Sequence, residues 1–272
     1  MKTLTLSLLI GAVLPLACDE HKYDKYTATD AAPTASPSAV ASVVASVAAA
    51  IASAAPTVTK KLAADCKPHP KTVDFGADGT ALEVEVRRKL SQPKDDVATA
   101  DLAKITSINL KTSQQQLHQV DPCIFPAFTS LKGLFLAAGD YDDLTPIAKL
   151  TNLEDLTVSQ SRVKDLHPIE GLKRLDRLDL SHTLITDDDL KSIAGLANVE
   201  ELTLDEDSVT DLKPVASMKK LTMLSIKNTR VKDLGPIAGM TTLKKLYIAG
   251  SLVSDISPVQ PLVSGGMKLF QN

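Results

Sequence analysis

Two groups of residues have types and spacings that invite a chemical reading. Asp179, Ser181 and His182 hold the components of a nucleophilic triad, in which a histidine takes the hydroxyl proton and a carboxylate orients the ring. They are near neighbours on one predicted strand, however, where alternation turns His182 away from the other two. Asp187, Asp188 and Asp189, with Asp205 and Asp207 nearby, offer oxygen ligands to a hard cation. Their spacing does not match an EF-hand loop, and an Asp that caps a turn is the ordinary reading. The remaining histidines (His21, His69, His118, His167) are scattered, with no HExxH or CxxC spacing. Gly265-Gly266 is too isolated to form a phosphate loop. The sequence points to no catalytic residue, no cofactor and no metal, and the chain reads as a non-enzyme.

The elements that would position these residues announce themselves as a repeat. Leu-x-x-Leu-x-Leu, or its variant with Val first, returns at Leu131, Leu153, Leu175, Val199, Leu221 and Leu243, at steps of 22, 22, 24, 22 and 22 residues. A fixed period of this length predicts stacked identical units that present a surface. Within 153–174 the apolar positions are Leu153, Leu156, Val158, Val163, Leu166, Ile169 and Leu172. Leu156 and Val158 alternate with Asp155, Thr157 and Ser159, which predicts a short half-buried strand. Asp165 and Pro168 then predict a short helical or 3₁₀ turn, since Asp caps backbone N–H groups and Pro is tolerated in a first turn. The same Asp recurs at Asp143, Asp211, Asp233 and Asp255. The 24-residue unit lacks the Pro, so a longer helix and a local irregularity are expected there.

These residues resemble the leucine-rich repeat family, in its 22-residue bacterial, internalin-like subtype, over about residues 103–264. The resemblance implies an α/β solenoid whose parallel sheet lines a concave side, with short helical or 3₁₀ turns on the convex side. The family's usual Asn at position nine, which bonds adjacent coils, is replaced by Gly139, Ser161, Thr183, Asp207, Thr229 and Ser251. Hydroxyls and carboxylates can partly substitute; Gly139 cannot, so weaker coil packing is expected beside it. Residues 80–90 read as a helix, Thr99 as the cap of a second short helix through Lys104, and Ile105, Ile108 and Leu110 as an atypical first coil. Ala81, Leu82, Glu83, Val86, Leu102 and Ile105 resemble the helical cap that opens internalin-like solenoids. After the coil 243–264, Met267 and Phe270 are placed to start one more strand.

The expected organisation is a signal peptide over 1–17, an Ala/Ser/Pro-rich tether over 18–60, a helical cap over 61–104 and the solenoid over 105–272. Lys2 and the apolar stretch behind it read as a secretory signal. Ala17-Cys18 resembles a bacterial lipoprotein cleavage box with Cys18 lipidated, although Pro15 stands where that box prefers Leu; ordinary cleavage is the alternative. The tether also carries Val and Ile at helical spacing, so a weak helix or, less simply, a span competes with it. With Cys18 lipidated, Cys66 and Cys123 remain as an even pair in an oxidising compartment. They are expected to bridge, pinning the cap down; two buried free thiols are the alternative. The chain is thus expected to be secreted across the inner membrane and lipid-anchored in a bacterial cell envelope.

Positions three, five and seven of each strand should face the concave side. The candidate ligand-binding residues there are Phe135, Asp155, Arg177, Asp179, Glu201, Asp205, Lys227, Lys245 and Tyr247. The middle coils are acidic, with only Arg177 opposing, and the last two are basic. On the rim Glu154, Asp176 and Glu200 form a column of like charges. A protein ligand with a basic segment is the expected partner. A spacer or adhesin with a merely solvated concave face is the alternative. Net charge is −3, aromatics are 3% and no Trp or long basic run is present, so nucleic acid is not an expected partner.

Overall fold

The computed structural model describes residues 66, 71–76, 80–93, 95–111 and 115–272. Cys18, the signal segment and the tether lie outside the described residues. The described chain opens with helices α1 (Thr80–Leu90) and α2 (Thr99–Leu102). Eight short strands follow: β1 (Ser107–Asn109), β2 (Gly133–Phe135), β3 (Asp155–Thr157), β4 (Arg177–Asp179), β5 (Glu201–Thr203), β6 (Met223–Ser225), β7 (Lys245–Tyr247) and β8 (Lys268–Phe270). They form one parallel sheet in chain order. The fold is a leucine-rich repeat solenoid.

The period sets the register. Leu134, Leu156, Leu178, Leu202, Leu224 and Leu246 stand side by side across the sheet. A one-residue slip would turn this buried row outward, so the alignment is strongly specified. The seven apolar positions of 153–174 are all buried, as are their counterparts in the neighbouring central coils. The chain returns through 3₁₀ turns at Thr145–Ile147, His167–Ile169, Val215–Ser217, Gly235–Ile237 and Ser257–Val259. Each is set up by the recurring Asp, whose Oδ1 accepts the N–H two residues on: Thr145, His167, Lys213, Gly235 and Ser257. In four of the five this is an Asx turn one residue ahead of the cap position, and before Val215–Ser217 Asp211 stands three residues ahead of the cap Pro214; such a local bond competes well with regular helix.

The 24-residue unit carries α3 (Asp187–Ile193), the longer helix expected there. Thr186 donates both its N–H and its hydroxyl to Asp189 Oδ2, at 2.8 Å each. Asp187 reaches the next coil instead, accepting from Thr210 N, Thr210 Oγ1 and Asp211 N. Burial works against ionisation of Asp187, but these hydrogen bonds outweigh it and hold the carboxyl below its usual range. The two extra residues leave Leu178 opposite Leu202, so the sheet is undisturbed. A last helix, α4 (Gln260–Ser264), precedes β8.

The cap seals β1 in a specific way. Leu82 and Val86 of α1 are buried, and Glu85 accepts a 3.3 Å bond from Asn109 N, a donor on the sheet's first strand. Arg88 grips the same carboxylate with two 2.8 Å bonds. Burial alone would raise the Glu85 carboxyl; these donors hold it below its usual range. Covering an open edge donor removes a site for unwanted strand pairing. Helix α2 differs from expectation: Thr99 begins it rather than capping it, Ala98 stands before it without a side-chain bond, and it ends at Leu102. Cys66 and Cys123 are bonded, with Cα atoms 5.3 Å apart.

Coil packing at position nine also departs from the sequence reading. Gly139 is not a weak point. Leu117 bridges it as a short parallel contact, with Leu117 N donating to Ala138 O at 2.9 Å. A Cβ at Gly139 would sit 1.8 Å from Leu117 O, so the absence of a side chain permits the contact. Ser161 and Thr229 bond within their own coils, to Val158 O and Ile226 O. Much of the cross-coil role of the missing Asn has moved to the flank. There Asn152 donates to Thr129 O and accepts from Arg174, and Asn198 donates to Lys173 O and accepts from Lys220.

Candidate ligand-binding face

The register places the outward side chains of the strands in two rows. The position-three row runs Gly133, Asp155, Arg177, Glu201, Met223, Lys245, and the position-five row runs Phe135, Thr157, Asp179, Thr203, Ser225, Tyr247. Thr157 and Ser225 are nearly buried, so the second row is floored by small groups. Between Phe135 and Met223 lies a depression of about 240 Å³. It is lined by Phe135, Asp155, Arg177, Asp179, Glu201 and Met223, with Thr157 and Thr203 below. Five of the nine sequence candidates therefore share one hollow. Asp205 and Lys227 lie at the strand ends beside it, and Lys245 and Tyr247 lie beyond Met223.

The charges are more fully paired than the sequence suggested. Arg177 holds Asp155 in a bidentate pair, Nε donating to Oδ1 and Nη2 to Oδ2, the latter at 2.9 Å. That hydrogen bonding, with the surrounding carboxylates of Asp155, Asp176 and Glu201, outweighs the opposing effect of burial and raises the guanidinium further above its already high range. Arg177 is not the sole cation. Lys227 Nζ is 2.9 Å from Asp205 Oδ2, while Asp205 Oδ1 accepts from Ser225 Oγ and Lys227 N. Lys111 Nζ, from the first coil, comes within 3.7 Å of Asp179 Oδ2. Asp179 Oδ1 is taken by Ser181 N and Oγ. Among the described residues Glu201 has no ion pair closer than 4 Å. It is the acid in the hollow most available to a ligand.

Solved structures share this fold. Internalin C2 of Listeria monocytogenes is similar with a TM-score of 0.62 and 28% identity, over 71% of this chain and 92% of its own. A leucine-rich repeat protein of Leptospira interrogans matches with a TM-score of 0.52 and 20% identity, over 64% of this chain and 51% of its own. In structure the chain is an internalin-like leucine-rich repeat solenoid. No protein-family model matches the sequence, and no curated relative is found. The likeness supports a repeat module that works by protein interaction.

On the rim of this internalin-like sheet, Lys132 Nζ pairs with Glu154 Oε1 at 2.9 Å. Asp176 is raised, first by burial and then by Asp155, Glu154 and Glu200, against the pull of Arg177. Its Oδ1 is buried without a hydrogen-bond partner. Ser181 does bond Asp179, but His182 sits in a left-handed turn and its Nδ1 lies 3.0 Å from Glu206 Oε2. The three form no proton relay. Among the described residues no cluster of three or more metal-ligating side chains is present, and no helix is long and apolar enough to cross a membrane.

Sequence reasoning missed Lys111, and it placed Phe270 on a further strand without its stacking on Tyr247. Lys111 belongs to a coil whose repeat signature is broken, so its projection onto the sheet face was not readable. Phe270 stacks on Tyr247 with ring centroids 4.3 Å apart. Leu246 faces Leu269, a step of 23, so a 22-residue count from Tyr247 lands on the wrong residue.

Proposed function

We propose that the solenoid binds a protein ligand in the hollow between Phe135 and Met223, and that a basic side chain of that ligand enters opposite Glu201. One observation carries the reading: an unpaired carboxylate stands in a small-floored hollow whose other acids are already partnered. A cation there gains Coulomb energy without first breaking an existing pair. Charges at such an open site mainly steer encounter, so association should slow as salt rises. The setting is a bacterial cell envelope, with secretion by residues 1–17 and lipid anchoring at Cys18 as parts of the same proposal.

Glu201→Lys is the variant to test. Asp179 also bonds Ser181, so its replacement would mix binding with folding. Affinity capture from envelope extract with the native and Glu201→Lys chains should yield a partner that the variant loses and that elutes from the native chain at raised salt. Equal capture by both, with equal salt dependence, favours the second reading: a spacer or adhesin whose concave face is internally neutralised, as the Asp155–Arg177 and Asp205–Lys227 pairs permit. Replacement of Cys18 by Ser should release the chain from membranes; normal retention of the variant rejects the anchor.

A further inference from the structure

The charge of the chain is split along the solenoid. Residues 133–212 carry eighteen Asp and Glu against seven Lys and Arg, whereas residues 213–272 carry two against nine. Little of that positive charge is spent on internal pairing. Lys244, Lys245 and Lys268 are exposed, and none has a carboxylate partner among the described residues. The parallel register sets Lys245 beside Lys268. Neighbouring strands lie about 4.8 Å apart, so this is a like-charge pair that opposes the fold unless an anion bridges it.

Two features adjoin the lysines. On the flank a groove of about 660 Å³ is lined by Lys219, Lys220 and Lys244 and by Thr222, Thr241 and Thr242, with Glu200 its one carboxylate. Lys219 and Lys220 rest on the neutral acceptors Ala216 O and Asn198 Oδ1, so neither charge is neutralised. On the sheet side the stacked Tyr247–Phe270 pair leaves Phe270 37% exposed at the end of the row.

We propose that this end of the solenoid binds an acidic polysaccharide. Carboxylate or sulfate groups sit on Lys244, Lys245 and Lys268, a sugar ring packs on Phe270, and the polymer continues into the hydroxyl-lined flank groove. An acidic peptide fits less well. Peptide and protein ligands draw their affinity from side chains buried in apolar pockets, whereas Leu243 and Met267 line this groove but are only 3% and 5% exposed, which leaves Pro261 and Leu262 as its open apolar wall. The site is distinct in sign and position from the hollow around Glu201 and does not depend on it.

The test uses the full chain on immobilised heparin and polygalacturonate, with dextran and polyglutamate as neutral and peptide controls. Retention on one or both acidic glycans, reversed by salt, and none on dextran is expected. Changing Lys244, Lys245 and Lys268 together to Glu should weaken glycan binding at least tenfold, and changing the three to Gln should act in the same direction. The same charge reversal at Lys149, Arg162 and Lys164, which are exposed on the middle coils, should change it less than twofold. Phe270→Ala should weaken glycan binding severalfold without affecting polyglutamate. Absence of retention on both glycans at low salt, equal loss from the two triple reversals, or polyglutamate bound as tightly as the glycans overturns the proposal.

Discussion

Asp207 occupies the position where the family usually places Asn, and it is 3% exposed. Its Oδ1 accepts from Thr183 N at 2.8 Å and Thr183 Oγ1 at 3.0 Å, while Oδ2 is buried without a partner. Burial pushes the carboxyl up to about 7; the Thr183 bonds oppose this, and the charges of Asp179 and Asp205 add to it. A group raised in the folded state binds its proton more tightly there than in the unfolded chain. Its contribution therefore favours the fold at low pH and is lost as pH rises from about 4 to 7. Asp207→Asn keeps the acceptor for Thr183 and removes the titration. The variant should be more stable than the native chain at pH 8, by roughly 1–4 kcal/mol, and should lack that part of the slope between pH 4 and 7. Chemical denaturation at pH 4, 6 and 8 reads this directly. The substitution was visible in the sequence. The protonation was not, because it depends on burial and on Asp179, Thr183 and Asp205, which only the stacking brings together.

At the scale of elements, the strands and their register were legible from spacing alone, because one buried Leu per turn of the solenoid leaves a single workable alignment. Legibility failed where the period breaks. The first coil lacks the full Leu pattern, so neither the Leu117–Gly139 contact nor the reach of Lys111 to Asp179 could be projected from it. Gly139→Ala tests the contact. Its Cβ would meet a backbone carbonyl, which cannot swing aside as a side-chain tip can. The expected loss is about 1–3 kcal/mol, read as a lower melting temperature. Gly171→Ala, on a turn with nothing within 4 Å of the added carbon, should change it little.

In the whole molecule each coil touches mainly its neighbours, so damage at one end should stay local. Cys66 and Cys123 lie 57 residues apart in sequence and meet beside the first coils. Closing a loop of that length is worth about 4 kcal/mol in the chain-entropy model. Reduction, or Cys66→Ser, should speed amide exchange in α1, β1 and β2 while the amides of β5 to β7 keep their protection. Uniform loss of protection would show that the stack unfolds as one unit.

The convex excursion of the 24-residue coil has a practical corollary. Its surplus is absorbed by α3 before the chain returns to the sheet, with Leu178 still opposite Leu202. A length change of two residues on that side is thus silent in the register of the strands. The turn between Ile193 and Leu196 is tied down, with Leu196 N donating to Ile193 O and Ser217 Oγ to Ala194 O, so the outer side takes up the surplus within a fixed frame.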